Sequence, residues 1–259
     1  TILYEINQRN SLKLIAGQSY RAPSSFEVFF QSASNSLSGN ANLEPEKSTS
    51  LEIAYLTQFN ELFIQAVIYH AEYENKIYRQ RIFTVDQPDL ELADGTLLSE
   101  TGRSSTLYYQ NGNRFSADGL ELEVKYQFKH GNLFSNYSYT DGNNNDDFGD
   151  DHYNFKYPPK SKLISGVSYS RAGYFASAIL TYYSSMQAVT ETIDSQSKWD
   201  LNFGYRQQYN KHKIRHVVSV KNLFDDEISG PDYVDREETF QTIRWDQSRH
   251  ISYTFSMDI

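Results

Sequence analysis

The segment Leu120-Glu121-Leu122-Glu123 carries two carboxylates that could do acid–base chemistry. Glycoside hydrolases use such a pair, and one member then needs a raised pKa in a dry pocket. Residues two apart in a strand share a face, so both Glu side chains lie on a polar face with Lys125. This polar face is better interpreted as a wall that contacts water than as an active site. The sequence has no Gly-x-Ser-x-Gly motif that would offer other chemistry. We therefore expect no enzyme; the alternative is a β-barrel hydrolase that acts on glycans or lipids.

Acidic residues gather in the segment 141–151, where Asp and Asn oxygens could bind Ca²⁺. The spacing matches no EF-hand loop, and a solvated acidic surface is the alternative. The sequence thus offers one candidate calcium site and no other cofactor. The candidate ligands are Asp146, Asp147, Asp150 and Asp151.

Two segments combine arginine with aromatic or polar residues in a way that suits a flat or catecholate-bearing anionic ligand. Aromatic residues near the end of a strand also form structural girdles, which is the alternative role. The candidate ligand-binding residues are Arg21, Phe26, Phe29 and Phe30 in the first segment and Arg79 and Arg81 in the second.

The composition of the 259-residue chain excludes several classes of protein. Without cysteine there is no disulfide, Cys-ligated zinc or thiol nucleophile. A net charge of −9 without a basic run argues against nucleic acid as a partner. No segment approaches the ~18 apolar residues of a membrane helix, and residues 1–20 lack the features of a signal peptide. The chain is therefore either an intracellular soluble protein or an interior piece of a longer one.

The elements that must position these residues are strands. In 120–128, five apolar residues alternate with four polar ones, and this period of two predicts a strand with one apolar and one polar face. The same alternation recurs along the chain, and no segment has a convincing helical period. The eleven predicted strands are 2–7, 12–20, 51–57, 62–69, 120–128, 133–140, 163–169, 174–182, 199–206, 214–220 and 251–259.

The connections between these strands alternate in length. Tight joints follow the odd strands, at Arg9-Asn10, Phe59-Asn60, His130-Gly131, Arg171-Ala172-Gly173 and Asn210-Lys211. Long segments follow the even strands, at 21–47, 80–112, 141–158, 185–196 and 223–245. Short turns on one rim and long loops on the other are typical of an antiparallel transmembrane β-barrel, although a soluble sandwich also has alternating strands.

Several motifs, in the same order as in the family, resemble TonB-dependent outer-membrane receptors. An aromatic-Arg-Ala-Pro stretch, here Tyr20-Arg21-Ala22-Pro23 followed by Glu27, precedes an Asn-x-x-Leu-x-Pro-Glu stretch, here Asn40, Leu43, Pro45 and Glu46. Further family-like pieces are Leu51-Glu52-Ile53, Asn75-Lys76-Ile77, Gly119-Leu120-Glu121 and Asn222-Leu223-Phe224. We interpret these motifs mainly as residues that shape the rim of the barrel.

This resemblance implies that residues 1–259 are the C-terminal half of a 22-stranded barrel. The plug domain, the TonB box and the first half of the barrel would then be missing, and the cut edges would leave unpaired backbone groups. The implied location is the outer membrane of a Gram-negative bacterium. The implied partners are outer-membrane lipid and lipopolysaccharide, a small-molecule iron chelate, and the TonB–ExbB–ExbD complex acting through the plug.

The family transports scarce, bulky nutrients, and a ferric siderophore is the first expectation because it is the commonest substrate. Cobalamin or an oligosaccharide is the alternative. Haem is expected less, because haem receptors of the family place a His between the two motifs and residues 21–46 contain none.

We predict that the purified receptor hydrolyses no glycan or lipid ester and that Glu121→Gln leaves nutrient uptake unchanged, because Glu121 lies on a polar face that contacts water. Hydrolysis assays and uptake by whole cells check this. Measurable hydrolysis that Glu121→Gln abolishes would contradict it.

Overall fold

The computed structural model describes residues 1–112, 114–144, 158–187, 192–231, 242–244, 246 and 248–258. Eleven antiparallel strands form one sheet, each pairing with the next along the chain. They are β1 Ile2–Asn7, β2 Asn10–Arg21, β3 Glu46–Phe59, β4 Leu62–Glu74, β5 Phe115–Phe128, β6 Gly131–Asn144, β7 Ser161–Arg171, β8 Tyr174–Tyr183, β9 Gln196–Tyr209, β10 His212–Lys221 and β11 His250–Met257. The predicted eleven-stranded antiparallel architecture is confirmed. The sheet is open, with β1 and β11 at its edges.

The sheet has one apolar and one polar face. Register pairs such as Leu122 with Tyr137 place apolar side chains on one side, and pairs such as Glu123 with Asn136 place polar ones on the other. The apolar face is uncovered: the residues Phe203 and Phe255 are 56% and 54% exposed. A soluble sandwich would bury this face in a dry core, whereas a barrel wall turns it toward lipid.

Along the described ranges, no helix has both the length and the apolar character needed to cross a membrane.

Two-residue turns join the strands at one end of the sheet. Asn60, Ala172 and Asn210 have φ values of 49°, 51° and 54°, the left-handed backbone that tight hairpin turns require. Three turns differ by one residue from the predicted joint: Asn60-Glu61 lies one residue after it, and Gln8-Arg9 and Lys129-His130 lie one residue before it.

The long connections contain structure that the sequence pattern did not predict. A five-residue helix, α1 Ser25–Phe29, follows β2, so the expectation of no helix is wrong there. The segment predicted as a long loop after β4 holds a hairpin of Ile77–Phe83 with Ser105–Asn111, and a 3₁₀-helix at Leu98–Thr101. The other short strands are Leu37–Ser38, Met186–Gln187, Thr192–Ile193, Ser229–Pro231 and Thr242–Arg244.

Glycines on the polar face make room for aromatic rings from neighbouring strands. A Cβ added at Gly204 would lie 2.2 Å from Cζ of Phe175 and 2.6 Å from the backbone oxygen of His216. Gly119 makes the same room for the ring of Tyr69, at 2.1 Å from its Cζ. Each ring therefore lies directly over the glycine backbone, and a larger residue in place of the glycine would push the ring away.

We predict that Gly204→Ala destabilises the full-length protein by about 1–3 kcal/mol, because the added methyl group overpacks a site bounded by backbone. The matched control is Gly17→Ala, also on the polar face, where the nearest atom to the new Cβ is the Ser50 hydroxyl at 3.5 Å. Chemical unfolding in lipid vesicles measures both. Equal stabilities of the two variants would contradict the claim that Gly204 is required by close packing.

Candidate functional site

Arg21, at the end of β2, joins the carboxylates of Glu46 at the start of β3 and of Glu27 in helix α1. Its Nε and Nη2 donate to the two oxygens of Glu46, at 2.6 and 2.8 Å. Its Nη1 donates to Oε2 of Glu27 at 2.9 Å. A guanidinium that binds a carboxylate with two parallel hydrogen bonds fixes direction as well as distance. Arg21 therefore ties together the end of β2, the start of β3 and helix α1.

Helix α1 begins with a capping box. The Ser24 hydroxyl accepts the Glu27 N–H at 3.3 Å, and the Glu27 carboxylate accepts the Ser24 N–H at 2.7 Å. Pro23 precedes the cap, where its missing N–H removes no strand hydrogen bond. Burial raises the pKa of the Glu27 carboxyl, but hydrogen bonds from Arg21 and Ser24 lower it by more than burial raises it. The pKa is therefore below its ordinary value of 4.5. The capping residue is thus held as a carboxylate.

The start of the Asn-x-x-Leu-x-Pro-Glu stretch, at Asn40, lies against the C-terminal end of helix α1. The N–H groups of Gly39 and Asn40 donate to the carbonyls of Phe30 and Glu27, at 2.6 and 2.9 Å. A Cβ at Gly39 would lie 2.7 Å from the Val28 oxygen, so this approach requires glycine. The Asn40 side chain donates to the backbone oxygen of Tyr109 at 3.0 Å. Asn40 therefore connects α1 to the hairpin in the next loop.

Two further contacts fasten that hairpin to the start of β3. The Glu46 carboxylate accepts the Ile77 N–H at 2.8 Å. The Asn111 side chain donates to the carbonyls of Glu44 and Asn75, at 2.9 and 2.7 Å. Sequence reasoning missed Glu44 and Asn111, which lie 67 residues apart; the one local signal was the Asn75-Lys76-Ile77 piece. The two loops form one rim, which we call the motif rim: residues 21–46 with the hairpin of Ile77–Phe83 and Ser105–Asn111.

The predicted aromatic candidates lie on the motif rim with unequal exposure. The rings of Phe26 and Phe30 stack, with centroids 4.1 Å apart, and Phe26 meets the edge of Tyr109 at 6.3 Å. Phe29 is 71% exposed. Phe29 is therefore the ring of this group with most surface free for a ligand.

The two predicted arginines lie on the hairpin and are exposed. Arg79 is the register partner of Tyr109 and Arg81 that of Leu107, so all four share a face of the hairpin. Arg81 donates to the Ser105 hydroxyl at 3.5 Å. Phe26 therefore contacts Tyr109, the register partner of Arg79.

The Asn222-Leu223-Phe224 piece forms the exit from β10. Asn222 is 1% exposed and has φ 50°. Its N–H donates to the Asp200 carboxylate at 2.9 Å, and its side chain bonds both backbone groups of Asp226. The Leu223 N–H donates to the Trp199 carbonyl at 2.8 Å, while Phe224 is exposed. Asn222 thus shapes the backbone here.

Of the carboxylates considered for other chemistry, the structure describes Glu121 and Glu123, which lie on the sheet and not on the motif rim. The predicted calcium ligands Asp146, Asp147, Asp150 and Asp151 lie outside the described residues. Within the described part of the chain, no group of three or more His, Asp or Glu is placed to hold a metal. Glu123 pairs with Lys125 at 2.7 Å and, with Glu121, lines an open groove of about 350 Å³ on the polar face.

A family model described as TonB dependent receptor-like, beta-barrel, matches residues 1–223. The chain belongs to this family. Two curated relatives from Haemophilus influenzae are each named heme/hemopexin utilization protein C. The protein of strain 86-028NP is 28% identical over 233 residues, 80% of this chain and 31% of the relative. The protein of strain ATCC 51907 / DSM 11121 / KW20 / Rd is 26% identical over 237 residues, 80% and 32% respectively.

Solved structures of TonB-dependent receptors have the same fold. The ferric enterobactin receptor of Pseudomonas aeruginosa superposes with a TM-score of 0.69 at 15% identity, covering 98% of this chain and 38% of that one. The siderophore receptor PirA of Acinetobacter baumannii gives 0.66 at 17%, covering 98% and 39%. This TonB-dependent receptor chain spans about a third of the length of its curated relatives. The family resemblance seen in the sequence is confirmed, and the matched proteins are named for receptor, transport or utilization roles.

We predict that Arg21→Ala loosens the motif rim of this receptor. Loss of a partly exposed pair costs about 1 kcal/mol, so amide protection factors in α1 and at Ile77 should fall roughly fivefold. Because the pKa of Glu27 lies below 4.5 when folded, its contribution is complete above that pH and is lost as the pH falls below it. Lower pH should therefore reproduce the loss in the wild type.

Hydrogen exchange of the full-length receptor measures these factors. Arg9→Ala is the control, since Arg9 stacks on Phe59 at the opposite end of the sheet, with Cζ 4.9 Å from the ring centroid. Unchanged protection in Arg21→Ala, or an equal loss in Arg9→Ala, would refute the predicted role.

Proposed function

We propose that the complete protein is a Gram-negative outer-membrane receptor that takes up a scarce iron chelate with energy from the TonB–ExbB–ExbD complex. The family match over residues 1–223 carries this proposal. The uncovered apolar face of the sheet supports a place in lipid, because aromatic and aliphatic side chains there have no protein layer against them. In this proposal residues 1–259 are the C-terminal half of the barrel, and the long loops face outward with lipopolysaccharide around them.

We propose a ferric siderophore as the substrate, bound on the motif rim. The exposed ring of Phe29 and the guanidinium groups of Arg79 and Arg81 offer stacking and positive charge to an anionic chelate with flat aromatic groups. Arg21 is less suited to contact the substrate, because two carboxylates already hold its donors. Arg21, Glu27, Asn40 and Glu46 would instead keep the rim in shape.

Haem is the second candidate, because both curated relatives are named for heme and hemopexin utilization. Residues 22–45 and 75–112 contain no His. On the motif rim, haem would therefore be held by stacking on Phe29 and by pairing of its propionates with Arg79 or Arg81. The same side chains would thus serve either chelate.

A deletion strain complemented with the complete gene tests the substrate by growth on single iron sources. We expect the deletion to abolish growth on at least one ferric siderophore and complementation to restore it. Loss confined to haem would favour the second candidate. Wild-type growth on every iron source, with loss only on cobalamin or an oligosaccharide, would refute uptake of an iron chelate.

Variants in the same strain test where the chelate binds. Phe29→Ala and Arg79→Ala should each weaken binding roughly tenfold, since a stacked or cation–π contact contributes ~1–2 kcal/mol. Val85→Ala is the control, because Val85 is a highly exposed residue beside the same hairpin. Unchanged affinity in both variants would exclude the motif rim as the binding surface.

A further inference from the structure

Arg171 ends β7 on the apolar face of the sheet, at the end with the two-residue turns. Tyr169 shares this face because it lies two residues earlier in the strand, and the register partner of Arg171 is Tyr174 at the start of β8. Arg171 is exposed, and among the described residues its guanidinium forms no ion pair or hydrogen bond with another side chain. A positive charge therefore lies at the border of the uncovered apolar surface.

The tyrosines on either side of Arg171 have packed rings and hydroxyl groups without a protein partner. The ring centroids of Tyr174 and Tyr205 are 4.6 Å apart, and those of Tyr169 and His130 are 6.0 Å apart. Tyr169 and Tyr174 are 43% and 54% exposed, and within the described part of the chain neither hydroxyl forms a hydrogen bond. Two O–H donors thus accompany the guanidinium on one face.

The strands around Arg171 carry no carboxylate that could neutralise it at this end of the sheet. Residues 161–183, which include β7, β8 and their turn, contain no Asp or Glu. The adjoining strand ends and turns, residues 128–135 and 203–216, contain none either. The charge and the hydrogen-bond donors therefore fit an anion from outside the protein.

We propose that Arg171, Tyr169 and Tyr174 bind the phosphate of an anionic glycerophospholipid in the membrane leaflet at the short-turn end. A guanidinium can donate two parallel hydrogen bonds to a phosphate, and the tyrosine hydroxyls can donate to its other oxygens. Val167 and Phe203, further along the same face, are 43% and 56% exposed and offer apolar surface to the acyl chains. One lipid molecule would thus satisfy both the charged and the apolar part of this surface.

The occupant is a glycerophospholipid and not lipopolysaccharide, because the long loops lie at the opposite end of the strands and face lipopolysaccharide in the proposed orientation. The apolar face also differs there in charge. Asp118 and Asp141 are register partners at that end, and carboxylates in this position would repel a phosphate. The inference rests on the proposed place of the protein in the outer membrane and is independent of the chelate that it carries.

Native mass spectrometry of the full-length receptor in detergent, titrated with single lipids, tests the proposal. The probes are phosphatidylglycerol and phosphatidylcholine with identical acyl chains, so that only the headgroup differs, and lipid A as the competing phosphate source. We expect phosphatidylglycerol to bind roughly fivefold more tightly than phosphatidylcholine, the effect of one cation beside an anionic lipid. Equal affinities of the two phospholipids, or tighter binding of lipid A, would overturn the proposal.

Two variants test the contacts. Arg171→Gln should abolish the preference for phosphatidylglycerol, and Tyr174→Phe, which keeps the ring and removes the hydroxyl, should reduce it. The control is Arg206→Gln: the Arg206 N–H donates to the Gly173 oxygen at 2.8 Å, beside the same turn, but its guanidinium lies over Phe175 on the polar face. Heat-dependent migration in gels checks that each variant folds. An unchanged preference in Arg171→Gln, or an equal loss in Arg206→Gln, would refute the site.

The lipid measurements also separate this site from the proposed function. A receptor that retains neither phospholipid would contradict the place in the membrane together with the site. Equal binding of both phospholipids would contradict the phosphate site alone, and growth on single iron sources would still decide the chelate.

Discussion

A strand in lipid must pair its backbone N–H and C=O groups with neighbouring strands, because no water is present to satisfy them. The nine inner strands of this sheet meet that constraint on both sides through antiparallel neighbours, and the edge strands β1 and β11 meet it on one side. Pairing fixes register, and register sorts side chains by parity, so that Leu122 and Glu123 fall on opposite faces. The aromatic surface that lipid requires and the polar wall behind it are therefore two results of one hydrogen-bond pattern.

The constraint ends where the strands end. Beyond that point, hydrogen bonds between charged side chains hold the chain in place instead of backbone pairing. Arg21 and Glu46 are still register partners at the last pair of β2 and β3. One step further, Glu27 caps a helix that belongs to no sheet. The Arg21 guanidinium thus fixes helix α1 to the last strand pair, and hydrogen bonds from the Asn40 and Asn111 side chains connect this region to the next hairpin. Side chains such as Phe29 can then stay exposed on a rim that other residues hold in shape.

The sequence predicted the strands well because parity is a local property that nine residues such as 120–128 display in full. It placed the start of β3 at Leu51 instead of Glu46, because residues 46–50 are polar on both faces once the strand extends beyond the apolar band. The loop hairpin was missed for a different reason. Its attachment depends on contacts such as Glu44 to Asn111, and a contact across 67 residues leaves no trace in a short window. The motif residues were found by resemblance, and their hydrogen bonds required coordinates.

Charges on the polar wall differ in whether the wall itself neutralises them. Glu123 has Lys125 two residues away on its own strand, and Lys198 lies between Asp200 and Asp246. These groups are therefore balanced by charged neighbours within the described residues. Arg206 and Arg215 break this rule, since their shared partner is a ring that offers a quadrupole and no charge. The Phe175 ring therefore positions these two guanidinium groups without neutralising them.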